Sequence, residues 1–117
     1  MKRTPLKPMS RKRRQSLEER ADVREAVLER DGHTCQFYNY VVDSPLWRMA
    51  DLNGVPARCS GDLEVHEIIP RSAWPAGWLV VDNCVTLCGG AHHPWVTDNP
   101  EKAHRIGLHG FSWERPA

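Results

Sequence analysis

Four cysteines, Cys35, Cys59, Cys84 and Cys88, are scattered through the middle of this chain, and Cys88 is followed by His92 in a C-x3-H spacing. That spacing lets two side chains reach one tetrahedral ion, and Cys35 and Cys59 supply a natural second pair. A fold built on Cys35, Cys59, Cys88 and His92 must bring three distant segments to one point. The binding free energy of the ion, expected to be a structural zinc, then becomes folding free energy. An even cysteine count also fits two disulfides of a secreted toxin, but no secretory signal is visible, and a reducing compartment favours ligation. The plainer alternative is a set of free thiols acting as small hydrophobes. For Cys84, on the apolar stretch after Asn83, that is the reading adopted.

The chain has 117 residues, the size of one domain with a small core. No apolar run approaches the ~20 residues of a membrane span, and the basic N-terminus lacks the apolar stretch of a signal peptide. A membrane-spanning or classically secreted protein is therefore not expected. A net charge of +1 hides an asymmetry: Lys2, Arg3, Lys7, Arg11, Lys12, Arg13 and Arg14 give the first 14 residues +7, and the rest carries −6. A basic arm on a mildly acidic body fits a polyanionic partner, because each neutralised phosphate releases a counterion. A solvated tail that aids solubility is the alternative.

Residues 1–15 show no apolar periodicity and are expected to form a flexible basic arm, with one domain over 16–117. Ser16-Leu17-Glu18-Glu19 fits a capping box, and Ala21, Val23, Ala26, Val27 and Leu28 give a helical stripe that ends before Gly32. The spacing predicts a helix over about 17–30. Residues 33–60 have no clean period and suggest a long excursion, with a β-hairpin as one form, pinned where Cys35 and Cys59 meet. The alternation in 63–69 predicts a strand ended by Pro70, with a loop over 71–78. Short strand segments are expected at 79–81 and 85–87, although 81–87 also fits a loop. A helix is expected from Pro94, and Asn99-Pro100-Glu101 begins a last short one, closed by Gly107 and Gly110.

Placed on that order, His66 on a strand, Asn83 on the return segment and His93 at a helix start form a second cluster, with Glu67 beside His66. Taken singly, a strand histidine is more often a satisfied core residue. Together, Leu63-Glu64-Val65-His66-Glu67-Ile68-Ile69-Pro70-Arg71-Ser72, Asp82-Asn83-Cys84-Val85-Thr86-Leu87-Cys88 and His92-His93-Pro94-Trp95-Val96 resemble the HNH endonuclease family. The resemblance covers about residues 20–110. The basic start is similar to that of small HNH proteins of bacteriophages and prophages.

The resemblance implies an α+β chain with a ββα-metal fold that holds one catalytic divalent cation (Mg2+, Mn2+ or another transition metal) on His66 and His93. Asn83 would orient the loop through backbone hydrogen bonds. The implied activity is metal-dependent hydrolysis of phosphodiester bonds, by nicking or weakly specific double-strand cleavage, leaving 5′-phosphate and 3′-hydroxyl ends. DNA is the implied partner, with RNA left open, and phage relatives imply a link to the packaging terminase in the bacterial cytoplasm. The chain would be monomeric or dimeric. The basic residues named above, together with Arg71, would contact phosphates, which position a protein without carrying sequence information.

Three departures from the family pattern stand out. Glu67 occupies the position of the family's histidine base, and glutamate is the weaker base at neutral pH. A regular strand also sends neighbouring side chains to opposite faces, so Glu67 and His66 reach one phosphate only if the strand bends. At the helix entrance the family's second cysteine is replaced by His92, which assigns His92 to zinc and His93 to the catalytic ion, with the swap as the alternative. Thr97 stands one helical turn on, where a further His or Asn is common. The rival class is a non-catalytic zinc module that binds DNA or a packaging partner. Trp74, Trp78 and Trp95 are expected in the core or at its rim, and His33, His104 and His109 on the surface.

Overall fold

Helix α1 (Arg11–Arg30) opens the computed structural model, which describes residues 10–43 and 54–116. It starts earlier than the Ser16 capping box implies: Ser10 is the N-cap, and its hydroxyl accepts from the Arg13 amide at 3.2 Å. Arg and Lys are good helix formers, so once the packed part of the helix has nucleated, the preceding turn propagates to the next available cap. Arg11, Lys12, Arg13 and Arg14 are thus helical, so the helix begins inside the stretch expected to be flexible and earlier than the expected start at about residue 17. The rest of the expected arm, with Lys2, Arg3 and Lys7, lies outside the described residues. At the other end Gly32 takes φ 63°, and the amides of Gly32 and His33 turn back to Glu29 and Leu28. That left-handed exit is the helix stop the glycine announced.

The segment after α1 holds a second helix, α2 (Phe37–Asp43), and no hairpin among its described residues. Residues 44–53 of the expected excursion lie outside the description. The Gln36 amide bonds Thr86 O at 2.9 Å, and Phe37 is fully buried between His92 and Trp95. Burying Phe37 from a chain anchored at Gln36 outweighs the β-propensity of the tyrosines and valines that follow.

Strands β1 (Leu63–Glu67) and β2 (Cys84–Cys88) pair antiparallel, with Val65 opposite Thr86 and His66 opposite Val85. β1 ends at Glu67 rather than Ile69, because the Asn83 side chain takes both the Ile69 amide and the Ile69 carbonyl. The strand expected at 79–81 is replaced by 3-10 turns at Pro75–Leu79 and Val81–Asn83. Pro75 fixes the first turn, and Asn83 Nδ2 reaches back to Gly77 O at 3.2 Å, which holds the connection folded instead of extended.

Helices α3 (His92–Asp98) and α4 (Pro100–Arg105) complete the chain. α3 starts at His92, two residues before Pro94, whose missing N–H falls in the first turn where no intrahelical acceptor exists. Pro100 opens α4 after Asn99, and Gly107, at φ 84°, follows it. The two-stranded sheet is covered on both faces. Val65 and Cys84 pack on Val27 of α1, while Val85 and Leu87 join Phe37, Trp95, Val96, Ala103, Ile106 and Leu108 in the main core. Among the described residues, no helix is long and apolar enough to cross a membrane.

Candidate functional site

Cys35, Cys59, Cys88 and His92 meet at one point, with their donor atoms all within 4.8 Å of one another. His92 Nδ1 lies 3.6, 3.5 and 3.1 Å from the sulfurs of Cys35, Cys59 and Cys88. A tetrahedral zinc with ordinary Zn–S and Zn–N bonds needs S···N edges of roughly 3.6 Å, so the four atoms stand close to that spacing already. Three segments supply them: the entry to α2, the stretch before β1, and β2 running into α3. The 59–61 stretch lies directly along the turn after β2, with the Gly90 amide on Ser60 O at 2.8 Å. A Cβ at Gly90 would meet that oxygen at 2.7 Å, so glycine is what lets Cys59 approach Cys88.

The surroundings prepare His92 and Cys88 for a cation. The His92 Nε2–H donates to Pro56 O at 2.9 Å, which leaves Nδ1 with its lone pair facing the sulfurs. Burial pushes the Cys88 thiol up, but the amides of His92 and Ser60 and the neighbouring thiols outweigh it and hold Cys88 below its ordinary value. Burial raises Cys35. Burial and then the crowding of Cys35 and Cys88 push Cys59 up to about 12. Three thiols this close cannot all ionise without a cation among them. The cluster fits a metal ion, and His92 belongs to it. None of the four cysteines is in a disulfide, and Cys84 sits apart, buried against Val27 and Val65.

On the other side of α3's first turn, His93 meets His66 of β1, with ring centroids 5.2 Å apart and planes at 70°. His66 Nε2–H donates to Leu108 O at 2.6 Å, and His93 Nδ1–H donates to Glu64 Oε1 at 3.1 Å. Each ring is therefore oriented through one nitrogen and keeps the other. Burial is the main cause that lowers His66 to about 4, with His93 and His109 adding to it, so the ring is neutral. Both histidines border a cleft of about 360 Å³ that Glu67, Pro70, Thr97 and His109 also line. Among the described residues, three donor atoms within 4.8 Å of one another occur at the cysteine cluster alone, so His66 and His93 offer a two-imidazole site.

Asn83 is 5% exposed and spends its whole amide on the backbone: Oδ1 accepts from Ile69 N at 2.9 Å, and Nδ2 donates to Ile69 O and Gly77 O. Glu67 follows the regular alternation of β1. It stands opposite Cys84, on the face turned to α1 and away from that of His66. Its Oε1 is buried without a hydrogen-bond partner and lies 3.7 Å from Arg71. Arg71 in turn stacks over Trp78 at 4.1 Å, and both line a groove of about 570 Å³ with Lys12, Arg13 and Ser16 of α1. Trp95 is in the core, and Trp74 and Trp78 are half-buried.

Glu64 and His109 were not singled out by the sequence. Glu64 carried a signal, since it lies two residues before His66 and so on the same strand face. His109, expected on the surface, lines the cleft because Leu108 O holds His66 and Gly110 N bonds Ile68 O at 2.8 Å. Carbonyl partners such as those of Pro56 and Leu108 leave no trace in side-chain identity. Comparison of the chain with protein-family models, curated proteins and solved structures gives no match.

Proposed function

We propose that this chain is a metal-dependent endonuclease of the HNH type, with a structural zinc on Cys35, Cys59, Cys88 and His92. The observation that carries the reading is the meeting of His66 and His93 at 5.2 Å across a β1–β2–α3 unit, each ring held by a protein acceptor. Two imidazoles, each with one nitrogen not used by a protein acceptor, offer ligands to a divalent cation, Mg2+, Mn2+ or another transition metal. When bound there, such an ion supplies charge stabilisation at the phosphoryl group and at the leaving oxygen.

The chain's own residues do the positioning. Leu108 O and Glu64 fix the planes of His66 and His93, and Asn83 locks the turn after β1 against the turn before β2. Lys12 and Arg13 on α1, with Arg71, neutralise phosphates of a DNA strand along the groove beside Trp78, giving affinity without base readout. A role beside a phage packaging terminase in the bacterial cytoplasm follows from the sequence resemblance. The second reading, a zinc-stabilised binding module without catalysis, is favoured by one feature: Glu67 stands on the α1 face in place of a base beside His66.

Supercoiled-plasmid cleavage with Mg2+, Mn2+ or EDTA separates the two. The endonuclease reading expects metal-dependent nicking that His93→Ala reduces at least ~100-fold, since it removes half of the protein's ligand set. Intact plasmid with every ion, from folded and zinc-loaded protein, refutes cleavage and supports the binding module.

A further inference from the structure

We infer that His109 is the group that takes the proton from the attacking water in this cleft, an inference that rests on the endonuclease reading above. Four titratable residues line the cleft: His66, Glu67, His93 and His109. Three of them are committed elsewhere. His66 donates to Leu108 O, His93 donates to Glu64, and their remaining nitrogens are those offered to the cation. Glu67 leaves β1 on the opposite face and lies against the Arg71 guanidinium.

His109 differs from all three. Its ring packs edge-on against Phe111, with centroids 4.8 Å apart at 77°, so an aromatic contact sets its orientation instead of a hydrogen bond. Neither ring nitrogen has a hydrogen-bond partner among the described residues, and both remain for water. The backbone on either side of it is tied to the site. Leu108 O takes the His66 N–H at 2.6 Å, and Gly110 N bonds Ile68 O at 2.8 Å, just past the end of β1. A histidine between two such anchors is held beside His66 whatever the rest of the C-terminal segment does. Burial, and then the neighbouring His104, hold the His109 imidazole below its ordinary value, which favours the neutral, proton-accepting ring.

The step balances without a further reactant. A water O–H bond breaks and its proton goes to His109, while the water oxygen forms the new P–O bond. The P–O3′ bond breaks, and the 3′-oxygen leaves with the electron pair and is protonated by solvent. The products are a 5′-phosphate and a 3′-hydroxyl, and His109 returns its proton to solvent. This arrangement supplies a base to a cleft in which glutamate stands at 67.

The test is single-turnover plasmid cleavage by the full-length, zinc-loaded protein as wild type, His109→Ala, His109→Gln and His33→Ala, with Mn2+ affinity and melting temperature measured alongside. His109→Ala should lose about 10²–10⁴-fold in rate, the ordinary worth of a positioned base, with unchanged Mn2+ affinity. Added imidazole should restore at least ~10-fold of that loss, a rescue that a merely structural role would not show. His109→Gln should melt as wild type does and lose rate as His109→Ala does, and His33→Ala, outside the cleft, should cleave as wild type does. His109 variants within about threefold of wild type, or a loss that imidazole does not rescue, overturn the inference. A fall in Mn2+ affinity of ~10-fold or more also overturns it, because His109 is then a ligand. If wild type cleaves and His93→Ala does not, failure at His109 stands alone; an inert wild type overturns the endonuclease reading as well.

Discussion

Asn83→Ala removes three hydrogen bonds at once, at 2.9, 3.0 and 3.2 Å, from a side chain that is 5% exposed. Each is worth about 1 kcal/mol net, and the deletion also strands the buried Ile69 amide and carbonyl, which adds a desolvation cost of about 1–2 kcal/mol. The expected loss is about 4 kcal/mol, a large share of the ~5–15 kcal/mol of a typical domain. Urea unfolding followed by circular dichroism measures it, and the midpoint should fall with an unchanged slope. On thermal unfolding the same loss lowers the midpoint by about 15 °C or more. Asn83→Asp should do no better, since a carboxylate can accept from Ile69 N but repels the carbonyls of Ile69 and Gly77. A loss below about 1 kcal/mol for Asn83→Ala would refute the claim that this amide holds the two turns together.

Three further outcomes follow from the same geometry. Chelating the metal, or Cys88→Ser, should remove close to one equivalent of zinc by elemental analysis and cost several kcal/mol of stability, because three segments lose their common ligand. Asp31 accepts from Thr86 N at 2.9 Å and from Arg30, and these bonds outweigh burial and hold its carboxyl below the usual value. With a depressed folded-state pKa its contribution is full above about pH 4 and fades as pH falls further, so Asp31→Asn should flatten the acid limb of a stability–pH curve. Ser10→Ala should cost about 0.5–1 kcal/mol by removing the N-cap, and Ser16→Ala should change stability by less than ~0.3 kcal/mol, since it stands inside the helix; equal effects by circular dichroism and melting would contradict the helix start at Arg11.

The positions of β1, α3 and α4 were legible because each has a local cause, alternation in 63–69 and a proline in the first turn, whereas β2 was expected only as a segment at 85–87 with a loop as the alternative. The C-x3-H spacing likewise announced that Cys88 and His92 come together, since a tight turn between β2 and α3 brings the His92 ring to 3.1 Å from the Cys88 sulfur. The misses have a common origin in tertiary competition. Nothing local distinguishes Phe37–Asp43 from a strand; burial of Phe37 against His92 and Trp95 decides it. At 79–81 the apolar run points to a strand, and the Asn83 amide holds the connection in 3-10 turns.

What the sequence determined by itself is the inventory of this site: which atoms can ligate, which segments alternate, and which two histidines flank a helix start. Only the tertiary structure decided how they are shared. It sent His92 to the sulfurs and His93 to His66, because successive residues at a helix N-terminus point about 100° apart. It brought His109 in from the far end of the chain, because the contacts to the Leu108 and Ile68 carbonyls depend on how the chain closes. No neighbour-to-neighbour rule encodes those.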